Sequence, residues 1–290
     1  MTPAELLQQW LDQRLEQRKD VAAATWLRAS VASLAGGGSD RDLYRLVSLV
    51  SRKLGKAPLQ PTLAEQAAAD AARPGWDVSR WTIDQAARVR LLLATGADGE
   101  RFVARLDALC ATADVDELVA FYRGLPLYPD PPRHRARAAE GVRSNMKVVF
   151  EAVAHANPYA AEQLDLDAWN QMVLKTLFVG SALHPIIGLD ERANPGLARM
   201  LSDYAHERWA ASRAISPELW RCVGPFARGP LLQDMARVLD TGTAPERAAA
   251  VLALRGSTDP QVHTLLARHM IVCDAVKARH IDWPTVHEFT

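Results

Sequence analysis

Three observations predict that this chain folds as an all-α protein. Alanine and other strong helix formers fill almost every stretch between the Gly and Pro punctuation, so helix propensity is high nearly throughout. Apolar residues recur at three- and four-residue steps, the spacing of one face of a helix. No segment sustains the period-two alternation of β-branched residues that marks a strand.

The first helix places Leu6, Leu7, Trp10, Leu11 and Leu15 on one face, with Thr2 and Pro3 as cap and first-turn residues. Asp20 caps a second helix running to Leu34, the run Gly36-Gly37-Gly38-Ser39 breaks it, and Asp40 caps a third running to Leu54. After Pro58 and Pro61, residues 62–72 form a polar, alanine-rich stretch, either a short surface helix or a linker. Beyond Trp76, helices are expected at 78–95, 98–111, 114–124, 134–156, 166–179, 196–212, 216–222, 230–240, 245–255, 260–279 and 284–288. The two long connections are 124–132, with its prolines, and 180–195. Residues 245–254, the turn 256–259 and residues 260–270 read as helix, turn and helix, with Asp259 as cap and Pro260 in the first turn. That pair resembles one unit of a HEAT-like α-solenoid, so the expected architecture is an irregular HEAT-like helical array. Residues 1–290 are expected to form a single all-helical domain, with 1–57 as an N-terminal helical subdomain.

Charge narrows the function classes. The 290 residues carry 34 Lys plus Arg against 34 Asp plus Glu, with 49% hydrophobic residues. A balanced chain gains little from releasing counterions, so nucleic acid is not an expected partner. Residues 1–20 lack the apolar core of a secretory signal, and no span reaches the ~20 apolar residues of a membrane helix. A cytoplasmic protein without an integral membrane segment is expected. Arg133, Arg135, Arg137, Arg143 and Lys147 against Glu140 make a local basic excess, read as a solvated helix face and left open to a partner or peripheral contact with a membrane surface. Cys110, Cys222 and Cys273 are odd in number and lack CxxC spacing, which argues against a disulfide framework and a zinc knuckle.

Residues 169–226 carry the most chemical information. On a helical wheel Trp169, Met172, Val173, Leu174, Leu177, Phe178 and Val179 surround the helix axis, predicting a buried helix whose interior Lys175 either snorkels or is a functional cation in a cavity. In the next helix Leu197, Met200, Leu201 and Tyr204 form a stripe with Arg208 at its centre and His206 on the opposite side. An arginine there implies an anionic partner, either a carboxylate such as Asp190 or Glu151 or a ligand. The connection between these helices carries His184, Asp190 and Arg192; Asn194 before Pro195 reads as a cap. His184 and Asp190 are thus the candidate proton-transfer groups, and Lys175, Arg192, Arg208, Tyr204 and Asn170 the candidate ligand-binding residues. In the 134–156 helix, with Met146, Val149, Phe150 and Val153 on its core face, Glu151 and His155 sit one turn apart on the other face with Ser144. They form a solvated ion pair, or an acid/base couple if that face lines the same cavity. Asp203, His206 and Glu207 lack the paired-histidine spacing of a metal site, and no GxSxG, GxGxxG, P-loop or DDxxD pattern occurs, so neither metal nor cofactor is expected.

Four stretches carry a family resemblance: Trp169-Asn170-Gln171-Met172-Val173-Leu174-Lys175; Gly188-Leu189-Asp190-Glu191-Arg192-Ala193-Asn194-Pro195; Asp203-Tyr204-Ala205-His206-Glu207-Arg208-Trp209-Ala210-Ala211; and Pro217-Glu218-Leu219-Trp220-Arg221-Cys222-Val223-Gly224-Pro225-Phe226. Together they resemble the signature of the EboA family of the bacterial ebo gene cluster, with 76–290 as the family-like core. The resemblance implies context more than mechanism: a part in making a prenylated cyclitol-type metabolite or exporting its precursor, with a pathway intermediate or other ebo-cluster proteins as partners. It brings no catalytic assignments. Two expectations follow, a helical binding or accessory protein and a cofactor-independent enzyme acting on a prenyl or cyclitol phosphate.

Overall fold

The computed structural model describes residues 1–96 and 98–290. Among them the only β-structure is an isolated antiparallel bridge between Pro58 and Thr82; everything else is helix, turn and connection. Contacts divide the chain into two compact units, Met1–Leu164 and Asp165–Thr290. No described helix is long and apolar enough to cross a membrane.

The N-terminal unit contains α1 (Pro3–Gln17), α2 (Val21–Ala35), α3 (Asp40–Leu54), α4 (Leu63–Ala72), α5 (Ile83–Ala94), α6 (Gly99–Thr112), α7 (Val115–Arg123), α8 (Arg135–Arg143), α9 (Lys147–Ala154) and α10 (Pro158–Gln163). Local chemistry starts the first two helices as expected: Thr2 and Glu5 form a capping box on α1, and Asp20 accepts from the Ala23 N–H on α2; the stretch left open between helix and linker is helix α4, capped by Thr62 and Glu65. The third helix begins one residue off expectation, because Ser39 is its cap and Asp40 its first helical residue. α5 packs against α1, α2, α3 and α7, and it is buried almost throughout. It therefore has to bury Asp84 and Arg88, which pair at 2.5 Å with 2% of each side chain exposed. Buried charge is tolerated only with a partner, and here the partner sits one turn away.

The single helix expected at 134–156 is instead two. α8 ends at Ser144, whose ψ of 140° is extended and whose hydroxyl accepts the Met146 N–H at 3.1 Å, a local bond that competes with helix continuation. The reversal is tight because Gly141 has no side chain: a Cβ there would lie 2.6 Å from Val153. Val149, Phe150 and Val153 are buried as expected, but Met146 falls outside the helix and is exposed. The stretch after it, expected as connection, holds α10, started by Asn157, which accepts from Tyr159 N–H and donates to the carbonyls of Tyr122 and Ala152. The basic stretch is largely neutralised internally. Arg137 bonds Asp107 and Glu140, Arg133 lies 4.0 Å from Glu100, and Lys147 lies 3.8 Å from Glu151.

The C-terminal unit contains α11 (Leu166–Phe178), α12 (Pro195–Ala210), α13 (Pro230–Thr241), α14 (Ala244–Leu254), α15 (Pro260–Arg268) and α16 (Met270–Ala278), with a 3-10 helix at Pro217–Cys222. α14 is its core, burying Ala248, Ala249, Ala250, Val251 and Leu254 against α13, α16 and the 3-10 helix. Gly224 permits that approach, since a Cβ there would lie 2.5 Å from the Ala253 carbonyl oxygen. The expected helix, turn and helix is present at α14 and α15, with Asp259 accepting from Gln261 N–H. The helix expected at 260–279 is broken at His269, whose φ and ψ of −116° and 30° leave the helical region. α11 is not buried on all sides, because Leu166 and Phe178 are exposed while Trp169, Met172, Val173 and Leu177 form its inner stripe.

Candidate functional site

In a 3-10 helix, residues three apart eclipse one another, so Glu218 and Arg221 stand on one edge of Pro217–Cys222. Glu218 is fully buried. It accepts the backbone N–H of His184 at 2.5 Å, lies 3.3 Å from His184 Nδ1, and receives His287 Nε2 at 3.0 Å. Arg221 donates Nε and Nη2 to the two oxygens of Asp190, at 2.7 and 2.8 Å, and lies over the Trp283 ring. Burial works against the Arg221 charge, but the Asp190 bonds and charge outweigh it and hold its pKa above the ordinary value. One edge of one short helix thus clips both the 180–194 connection and the 282–288 segment. His184 and Asp190, the expected proton-transfer groups, are the residues by which this helix edge holds the connection, and His184 keeps 29% of its side chain exposed.

α12 presents two different faces. Asn194 caps it, accepting from Leu197 N–H, and exchanges side-chain bonds with Asn170 of α11. At 100° per residue Pro195, Arg199, Ser202, Asp203 and His206 share one face, and Tyr204 and Arg208 lie roughly opposite. On the first face Ser202 Oγ and His206 Nε2 each bond a different oxygen of the buried Asp234 of α13, at 2.6 and 2.7 Å. The serine proton is directed to a carboxylate rather than to the histidine, so this group ties α12 to α13 and is not arranged as a nucleophile. Arg237 of α13 lies 4.0 Å from the centre of the Trp209 ring, which stacks on Trp220. Along the same face runs an open groove of about 750 Å³, walled by Pro195, Ser202, Phe226 and Leu231 with Arg199 and Arg228 beside them. That size suits a small-molecule ligand.

The sequence-predicted ligand residues are placed elsewhere. Arg208 donates Nε and Nη2 to the Ala214 carbonyl, at 2.9 and 2.7 Å, so its partner is a backbone oxygen rather than the expected carboxylate. Asp190 is held by Arg221, and Glu151 lies beside Lys147. Tyr204 packs on Phe178 with ring centres 4.7 Å apart. Arg192 lies over Trp169 at 4.6 Å, and burial pushes its pKa down. Lys175 is half-buried near the end of α11, where burial likewise lowers its pKa. In the N-terminal unit Glu151 and His155 border a separate cavity of about 280 Å³, together with Arg80 and Arg123. Cys110 and Cys222 are poor nucleophiles, since burial pushes both thiols up to about 12. Among the described residues no group of three or more His, Cys, Asp or Glu is placed to hold a metal ion.

Glu218, Arg221, Asp234, Arg199 and Phe226 were not among the candidate site residues, although Glu218, Arg221 and Phe226 lie in a family-like stretch. Glu218 could have been found, because a carboxylate followed by Leu219, Trp220, Cys222 and Val223 raises the same question as Lys175 within its apolar run.

Fold and site together define an all-helical protein with a ligand-sized groove beside a polar tie between two helices. The chain belongs to the EboA family: the family model described as metabolite traffic protein EboA matches residues 3–224. Neither the curated proteins nor the solved structures contain a match to it.

Proposed function

We propose that this chain is a cytoplasmic, non-catalytic accessory protein that binds an intermediate of a prenylated cyclitol-type pathway and passes it to another ebo-cluster protein. The observation that carries this reading is the groove on α12: Pro195, Asp203, Pro225 and Phe226, each from a stretch that resembles the family, line it together. Its apolar wall suits a prenyl chain, and Arg199 and Arg228 suit an anionic head. An irregular HEAT-like array is the architecture that would present such a groove, in the way that stacked hairpins present binding surfaces. In this reading Lys175, Arg192, Arg208, Tyr204 and Asn170 hold α11 and α12 from the far side of the groove. The test is calorimetric titration of the full chain with farnesyl phosphate. Saturable binding that weakens at least tenfold in Leu231→Asp, with an unchanged circular dichroism spectrum, supports the reading. Equal affinity of the variant removes the groove from it.

A second reading is favoured by His184, a partly exposed imidazole oriented by the buried Glu218. It makes the chain a cofactor-independent enzyme on a prenyl or cyclitol phosphate, with His184 or Asp190 moving a proton and Lys175, Arg192 and Arg208 holding the anion. Metabolite profiles of a gene-deletion host separate the two. Accumulation of one defined intermediate in the deletion and in a strain complemented with His184→Ala supports catalysis, whereas full complementation by His184→Ala rejects it.

A further inference from the structure

We propose that the N-terminal unit holds a second, independent binding site, a pocket for a small oxyanion between Arg80 and Arg123. The pocket is the cavity of about 280 Å³ bounded by the start of α5, by α7 and by α9. Arg123, near the end of α7, donates Nη1 to the Arg80 carbonyl and, at 2.6 Å, to Gln85 Oε1. Those two bonds fix the guanidinium plane while using only one of its three nitrogens. Neither Arg123 nor Arg80 forms an ion pair among the described residues, although both line the cavity.

None of the acidic groups around the cavity forms an ion pair with either arginine among the described residues, although Asp77 and Glu151 are near enough to act on the Arg123 charge. Asp116 is bonded to Lys56 at 2.5 Å, Asp77 accepts the Ser79 N–H at 2.7 Å, and Glu151 lies beside Lys147. His155 completes the polar lining, and Trp81, Val119 and Val148 give it an apolar side. Burial first, and then the neighbouring Arg80 charge, push the Arg123 pKa down, with Asp77 and Glu151 opposing that shift. Arg80 and Arg123 therefore repel each other at the cavity, and Asp77 and Glu151 offset that repulsion only in part, since the Arg123 pKa stays below the ordinary value. A phosphate or carboxylate between them would relieve that repulsion and accept the free N–H groups in the geometry a guanidinium favours. The volume accommodates the anion with a small organic body, and the apolar side would receive that body.

The inference does not rest on the groove of the C-terminal unit and is tested apart from it. The full chain is titrated calorimetrically with inorganic phosphate and, separately, with acetate at matched ionic strength. Saturable one-to-one binding of either anion is expected, and the anion that binds assigns the ligand to the phosphate or the carboxylate class. Arg80→Ala removes a side chain with no bonded partner among the described residues, so it should leave the melting temperature unchanged while weakening binding at least tenfold. Arg228→Ala, in the groove of the other unit, should leave the affinity unchanged. Absence of saturable binding of both anions, equal affinity in Arg80→Ala, or loss of binding in Arg228→Ala would each overturn the proposal.

Discussion

In the N-terminal unit the buried carboxylate of Asp84 is met by Arg88, with the Ser51 and Thr82 hydroxyls completing its shell. In the C-terminal unit Glu218 is met by two histidines and a backbone N–H, and Asp234 by one histidine and one serine. Arginine brings a permanent charge in a planar fork, whereas histidine brings a charge only when protonated and otherwise donates one neutral N–H. The first arrangement is a fixed lock centred on one helix, with Arg88 also reaching Ser51 of α3 and Glu117 of α7. The second joins segments far apart in the chain through imidazole and hydroxyl groups, and it lies in the unit that also holds the α12 groove. The difference teaches that a buried carboxylate secures one tightly packed helix in the first unit and joins separate segments of the chain in the second.

The largest effect should come from breaking the lock. Arg88→Met strands Asp84 in the core, and loss of one partner of a buried pair costs about 3–5 kcal/mol, read from urea unfolding. The double variant with Asp84→Leu should regain a large part of that loss, because it removes the stranded carboxylate from the core and leaves only the part-buried Glu117, 3.5 Å from Arg88, short of a partner. If Arg88→Met alone costs less than ~1 kcal/mol, the size of a surface pair, the contrast between the units fails. Glu218→Gln should cost less, about 1.5–3 kcal/mol, the worth of hydrogen bonds to a charged group. Its signature is regional: amide exchange should quicken in 184–190 and 283–287 and stay unchanged in α5.

The smallest effect concerns His134 in the N-terminal unit, where a histidine is used as a neutral ring. Its Nε2 bonds the Pro129 carbonyl at 2.8 Å, its Nδ1 has no partner, and its edge meets Phe102 and Tyr128. Burial lowers its pKa. The unfolded chain then takes up a proton before the folded one as pH falls, so stability should decline as pH drops through the ordinary histidine range near ~6.5 and rise on the return. His134→Phe should flatten that part of the stability profile measured by thermal unfolding between acid and neutral pH. An unaltered profile would mean that this ring is not held neutral.

Helix starts were readable at Thr2, Asp20, Asn194 and Asp259, where cap and partner lie within one turn. The break at Ser144 was not, because a stretch with good helix propensity is interrupted by a hydroxyl bond and by the close approach that Gly141 allows between α8 and α9. The α12 stripe was read correctly as apolar, and His206 was placed on the opposite side. The expected ligand residues and the groove lie on different faces of that helix, since Tyr204 and Arg208 meet Phe178 and the Ala214 carbonyl while the groove runs along the face of Ser202.

By itself the sequence determined that this protein is all-helical, where most of its helices begin, and which faces are apolar, because those depend on propensities, caps and spacings within a few residues. It also determined that some charges must be buried. Only the tertiary structure decided which partners they have. Glu218 meets a histidine 34 positions before it and another 69 positions after it, and Asp234 meets one 28 positions before it. Pairings at such separations leave no periodic trace in the chain, since they are set by how the helices pack and not by any neighbour in sequence.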